Sequence, residues 1–225
     1  MVKIAPKRNI YKELLRKISM FKESKSQSSR NKSKYNIYYL QMPEINKIID
    51  AAKNLRDATV IKILARTGMR RFELCHIKVQ DIDFEKRRIF ISKAKGNKQR
   101  TVPIDQDTLQ TIRFYMRSRQ YGKLIQSNKK NVDGIDESRI NAIVKNTALR
   151  AGIKHPDPSK KNMNPHIFRH SFIRHLIKQN VPPNYVQQIA GHADIRTTLQ
   201  MYGIPGISDV QEKYEEISST FYNNP

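Results

Sequence analysis

A single cysteine, Cys75, excludes an internal disulfide and leaves too few thiolates for a cysteine-based zinc site. That suits a reducing cytoplasm. No apolar run is long enough to span a membrane, and the basic Met1 to Arg8 stretch is not followed by the apolar region of a secretory signal. The expectation is therefore a cytoplasmic protein without a membrane partner. Acidic side chains are also scarce. Against 43 Lys plus Arg there are only 20 Asp plus Glu, which leaves a formal charge of +23 and a pI near 10.2. Such a field favours a polyanion, and nucleic acid is the usual one; a ribosomal-type or membrane-surface protein has the same charge signature. Neither a Walker-type glycine loop nor a carboxylate cluster for two metal ions is present, which agrees with an expectation of no cofactor.

What is present is a chain of 225 residues, 38% hydrophobic, enough for one domain with a real core plus a small appendage. Residues 1–34 hold a short amphipathic stretch, Tyr11 to Phe21, and a polar run, Glu23 to Lys34, that has nothing to bury and reads as a basic arm or linker. No internal repeat is found. From Tyr38 onward the pattern becomes helical. Pro43 suits a first helical turn, and Ile45, Ile48, Ile49 and Ala52 keep the spacing. Asp57 to Ala65 reads as a second helix, ended by Gly68, and Arg71 to Ile77 as a third. Strands are expected at Ile82 to Phe84, Arg88 to Ser92 and Gln99 to Ile104, the last two joined by the polar turn Lys95 to Lys98. Helices are expected again at Thr108 to Gln120, Ser138 to Ala151, Pro165 to Lys178, Pro183 to Ile189, Arg196 to Met201 and Val210 to Ser219, with a proline-marked loop from Gly152 to Asn164. The predicted fold class is mainly α with a small antiparallel β-sheet (α+β). Its boundaries are 1–34 for the arm, 35–205 for the main domain and 206–225 for a tail with a helix.

Several residues in this frame suit one chemistry. Arg70 follows a glycine at a helix start, where a guanidinium can give two parallel hydrogen bonds to phosphate oxygens without losing its charge. Glu73 shares its helix face and is placed to orient a neighbouring side chain. His166 and Arg169 project from one face, with His170 a turn beyond His166. The two histidines do not read as a metal site, because the arginine between them repels a dication and no acidic ligand is near. His175 reads as a packing or surface residue. Lys95, in a hairpin of small and polar residues, is placed to act as a general acid on a DNA leaving oxygen, with Lys98 as its rival. Tyr202 ends a helical segment and precedes Gly203. Its phenol, with an ordinary pKa near 10, becomes a nucleophile only if cations and a base assist it.

Thr67-Gly68-Met69-Arg70-Arg71-Phe72-Glu73-Leu74, Ala94-Lys95-Gly96-Asn97-Lys98-Gln99-Arg100-Thr101-Val102-Pro103 and Pro165-His166-Ile167-Phe168-Arg169-His170-Ser171-Phe172 occur in that order. Ile189-Ala190-Gly191-His192-Ala193-Asp194 and Thr197-Thr198-Leu199-Gln200-Met201-Tyr202 follow them. Together they resemble the tyrosine recombinase (phage integrase) family over about Tyr39 to Tyr202. The resemblance implies that Arg70, Arg169 and His192 bind the scissile phosphate and that Lys95 is the general acid. It further implies that His166 takes or relays the tyrosine proton, that Tyr202 forms a 3′-phosphotyrosine, and that Glu73 and His170 support these groups. It implies double-stranded DNA as partner, a monomer when free and a homo-tetramer on synapsed DNA, with the tail helix docked on a neighbour. The implied activity is site-specific recombination (integration, excision, inversion or dimer resolution). Type IB topoisomerase-like relaxation and a decayed DNA-binding module are the alternatives. Tyr202 lies one residue further from His192 than in many members. Members of the family usually carry a helical core-binding domain of about a hundred residues, a size typical of one domain. Residues 1–34 are too few for that, as in a naturally minimal recombinase or a truncated product.

Overall fold

The computed structural model describes residues 38–92, 99–128, 132–155, 162–192, 194, 196–198, 211, 214, 215 and 218. The arm expected over 1–34 and most of the two last expected helices lie outside the described residues. Helix α1 is Met42–Asp50 and α2 is Leu55–Thr67, followed by α3 Arg71–His76. Strands β1 Ile82–Asp83, β2 Arg88–Ile91 and β3 Arg100–Pro103 precede α4 Gln106–Met116, α5 Glu137–Arg150, α6 Pro165–Lys178 and α7 Pro183–Ala190. This is the α+β class expected from the sequence: helices with one three-stranded antiparallel sheet in the order β1-β2-β3.

Caps explain where the helices start. Asn54 accepts a hydrogen bond from the Asp57 amide at 2.9 Å, which moves the start of α2 ahead of the expected Asp57. Asp105 does the same for the Thr108 amide at 2.9 Å, so α4 also begins earlier than its apolar periodicity suggests. That helix stops at Met116, short of the expected Gln120, because Arg117 takes a positive φ of 55° and Arg119 turns back onto the Leu124 carbonyl at 2.9 Å. Helix α6 begins where expected: Pro165 fills the first turn, and Asn164 caps the His166 amide at 3.0 Å.

The core sits around α2, whose Val60, Ile61, Ile63 and Leu64 are fully buried. The helix packs on α1, α4, α5 and α6. The sheet adds one apolar face. Ile82 pairs with Ile89, and Ile89 with Val102, so these side chains share the inward side. The entering chain is tied to α6 at Leu40, whose amide donates to Ser171 Oγ at 2.7 Å and whose carbonyl meets His175 Nε2 at 3.1 Å. His175 thus has the packing role expected of it. Cys75 is half-buried on α3, and loss of hydration, with Glu137 and Asp136 nearby, pushes its thiol up to about 11. That keeps it protonated and unreactive at neutral pH.

Two features of this frame build the site. Gly68 ends α2 in the left-handed region at φ 61°, where a side chain would run into the Phe172 ring on α6. Gly191 ends α7 in the same way at φ 65°. Each glycine thereby brings a helix-terminal carbonyl and the next functional segment to one place.

Candidate active site

Glu73 is the hinge of the arrangement. It is fully buried, yet it lies in the first turn of a short helix beside three guanidinium groups. Its Oε2 accepts from the Arg70 amide at 2.8 Å and its Oε1 from Arg70 Nη1 at 3.0 Å. Arg100, at the first position of β3, gives both oxygens a forked pair of bonds, 2.6 Å to Oε1 and 2.8 Å to Oε2. Burial by itself would push the carboxyl up. The bonds and charges from Arg100 and Arg70 outweigh it and hold the group below the usual carboxylate range.

Arg70 reaches across the molecule as well, donating from Nη2 to the Gly191 carbonyl at 3.3 Å. Arg169, on α6, is 6% exposed and donates to two carbonyls: Gly68 at 2.7 Å and Ala190 at 2.6 Å. No carboxylate touches it among the described residues. Burial, and then the neighbouring Arg70 and Arg100 against the opposing Glu73, push its guanidinium down to about 9. It therefore stays charged at neutral pH.

The histidines feel the same field. His192 is half-buried, with Nδ1 2.8 Å from Thr198 Oγ1. Lost hydration and the charges of Arg169, Arg70, His170 and Arg100 push it down to about 4. His166, at the exposed N-terminus of α6, is also lowered: by partial loss of hydration first, then by Arg71, Arg169 and Arg70 against Glu137. Both imidazoles are neutral at pH 7. His170 is partly buried on the same helix and contributes to the lowering at His192.

The structure thus brings Arg70, Glu73, Arg169 and the Gly191–His192 turn together, with His166 and His170 at their edge. Lys95 and Tyr202, and with them Lys98, lie outside the described residues. Arg100 is the member that sequence reasoning missed. Its signal was available: β3 alternates inward and outward, and Arg100 pairs with the fully buried Ile91, which places an arginine on an apolar face. Sequence position alone assigned no such role to it.

A side chain at Gly191 would place its Cβ 2.8–2.9 Å from Cδ, Cζ and Nε of Arg100, at a backbone angle that only glycine adopts freely. Gly191→Ala is expected to lose about 1–3 kcal/mol of stability in a denaturation experiment. An unaltered midpoint would mean that the Arg100 side chain has room to move.

A basic cluster of guanidiniums around one carboxylate, on a helical frame with a small sheet, leaves surplus positive charge that suits an anion. Residues 38–204 match the phage integrase family model. Tyrosine recombinase XerA of Pyrococcus furiosus is 34% identical over 164 residues, covering 71% of this chain and 54% of that protein. Tyrosine recombinase XerD of Staphylococcus aureus is 30% identical over 185 residues, covering 79% of this chain and 58% of that protein. The crystal structure of XerA recombinase superposes with a TM-score of 0.65 at 28% identity, over 81% of this chain and 64% of that one. That of XerH bound to its difH substrate, a pre-cleavage complex, gives 0.61 at 25% identity, over 72% and 49%. The chain belongs to the phage integrase family, the tyrosine recombinases. It spans about half the length of the curated relatives it matches.

Proposed function

We propose that the protein is a site-specific DNA recombinase that cuts and rejoins strands through a 3′-phosphotyrosine. One observation carries this reading. Arg70 and Arg100 bond to the single carboxylate Glu73, while Arg169 beside them is held by carbonyls alone, so the site keeps surplus positive charge in a partly dry setting. A phosphodiester supplies the missing anion, and its charge grows during attack, which is when fixed cations act most strongly. Arg70, Arg169 and neutral His192 hold the non-bridging oxygens. The Tyr202 oxygen bonds to phosphorus as the bond to the 5′ oxygen breaks; neutral His166 takes the phenolic proton, and Lys95 protonates the departing 5′ oxygen. Attack by a 5′ hydroxyl on the phosphotyrosine reverses these steps and joins the strands. One ester replaces another at each step, so no external energy source is needed.

The complex of the site-specific recombinase XerH with its difH substrate supports reading double-stranded DNA as the partner. The full reading includes a free monomer, a tetramer on synapsed duplexes and a cytoplasmic site of action. Residues 1–34 would serve as a basic arm, 35–205 as the catalytic domain and 206–225 as a tail docking on a neighbouring subunit. Among the described residues no helix is long and apolar enough to cross a membrane. The test is to trap protein covalently on DNA in its host and sequence the attached fragments. A defined site bearing a 3′ link is expected. Absence of any adduct overturns the reading, and relaxation of supercoiled DNA without recombinant product moves it to a topoisomerase.

With a net charge of +23, binding to that site should weaken steeply with salt. If about six to ten phosphates are contacted, affinity falls roughly a thousandfold or more between about 50 and 200 mM salt. A flat titration contradicts the electrostatic part. The pH response follows from His166, which acts as a base only when neutral. Its pKa lies below the ordinary 6.5, so the cleavage rate should hold as pH falls to that value and decline only below it. A decline already complete at pH 7 would exclude this assignment.

A further inference from the structure

Arg100 is a buried charge that the chemistry of phosphodiester cleavage leaves without a task. Its side chain is only 7% exposed, and its hydrogen bonds lead to functional segments. Nη1 and Nη2 fork onto both oxygens of Glu73, while Nε donates to the Ile189 carbonyl at 3.1 Å, just ahead of Gly191 and His192. A forked guanidinium–carboxylate pair fixes the plane of the carboxylate as well as its position. Glu73, so fixed, presents one oxygen to Nη1 of Arg70 and the other to its amide. Gly191 has no side chain where the Arg100 guanidinium packs, so that turn is shaped around the same group. An ion pair serving stability alone can be exchanged for apolar side chains with little loss. This one ends on a phosphate-facing arginine and on the turn that carries a catalytic histidine.

We infer that Arg100 is a positioning residue of the cleavage site. It acts through Glu73 on Arg70, and through the Ile189 carbonyl on the Gly191–His192 turn, to set the grip on the non-bridging oxygens of the reacting phosphodiester. This rests on the recombinase reading. Without Arg100, Glu73 loses the forked pair that fixes its plane and so holds Arg70 less firmly.

The test is single-turnover cleavage of a nicked duplex carrying the site recovered by trapping, with either a phosphodiester or a methylphosphonate at the scissile position. The methylphosphonate has a neutral methyl in place of one charged oxygen and so depends less on cationic grip. Arg100→Met is expected to cut the phosphodiester about a hundredfold more slowly, the cost of a misplaced reacting group. The same variant should lose less than about tenfold on the methylphosphonate, where little oxyanion charge has to be held. Its affinity for the duplex should stay close to that of the wild type. Arg100→Met combined with Glu73→Gln removes both charges of the pair. It should recover thermal stability while remaining slow on the phosphodiester, and it carries the test if the single variant does not fold. Equal losses on the two substrates, restored cleavage in the double variant, or full cleavage by Arg100→Met would each overturn the positioning role. A wild type that forms no adduct on either duplex instead overturns the recombinase reading itself.

Discussion

Tyr202→Phe is expected to abolish the covalent protein–DNA adduct while leaving DNA affinity nearly unchanged. The argument is chemical. In the proposed mechanism, removing the phenolic oxygen removes the atom that bonds to phosphorus, and no other group is assigned that role. An unperturbed phenol ionises near 10, so attack at neutral pH depends on its surroundings. The described site provides the needed asymmetry: the cations Arg70, Arg100 and Arg169 lie around a lone carboxylate, beside a His166 that stays neutral and able to take a proton. Denaturing gel electrophoresis of a nicked duplex incubated with each protein gives a direct reading. A shifted band with Tyr202→Phe would place the nucleophile elsewhere in the chain.

Arg169→Ala is expected to lower single-turnover cleavage by about 100- to 1000-fold, the usual cost of deleting one donor to a developing oxyanion. It should also destabilise the fold, although two effects oppose each other. The guanidinium is deprived of water and, to a lesser extent, repelled by Arg70 and Arg100, which its lowered value near 9 reflects, and deleting it relieves both. Against this, the Gly68 and Ala190 carbonyls lose donors at 2.7 and 2.6 Å. An unsatisfied buried acceptor costs about 1–3 kcal/mol, so the two lost bonds outweigh the relief and the net loss should be on the order of 1–3 kcal/mol. Cleavage within a fewfold of wild type would remove Arg169 from the chemistry. A raised melting temperature would show that the relief dominates.

Much of the fold was legible along the chain because its signals are local. Pro165 and the polar Asn164 mark the start of α6 wherever the helix packs, and inward-facing isoleucines mark the sheet. The boundaries that differed were set by contacts a periodicity cannot register: the Asn54 and Asp105 caps lengthen α2 and α4, and the left-handed Arg117 ends α4 early. Site residues divide along the same line. Arg70, His166, Arg169 and His192 could be proposed from sequence because they lie in short motifs at recognisable spacings. The strand alternation marked Arg100 as inward-facing, but its partners were not visible, because they are a carboxylate 27 residues earlier and a carbonyl 89 residues later.

The sequence by itself determined the polyanion-seeking charge and the α+β class, and it supplied the proposed kit of reactive groups. Composition, periodicity and short motifs act over a few neighbouring residues, and each of these properties is local in that sense. Only the tertiary structure decided how the kit is held. It buried Glu73 as the hub of the arginines, aimed two helix-terminal carbonyls at Arg169, and drew His192 into a field that keeps it neutral. Those outcomes depend on distance and on exclusion of water between segments far apart in the chain, and they exist only once α2, α6, α7 and the sheet have packed together.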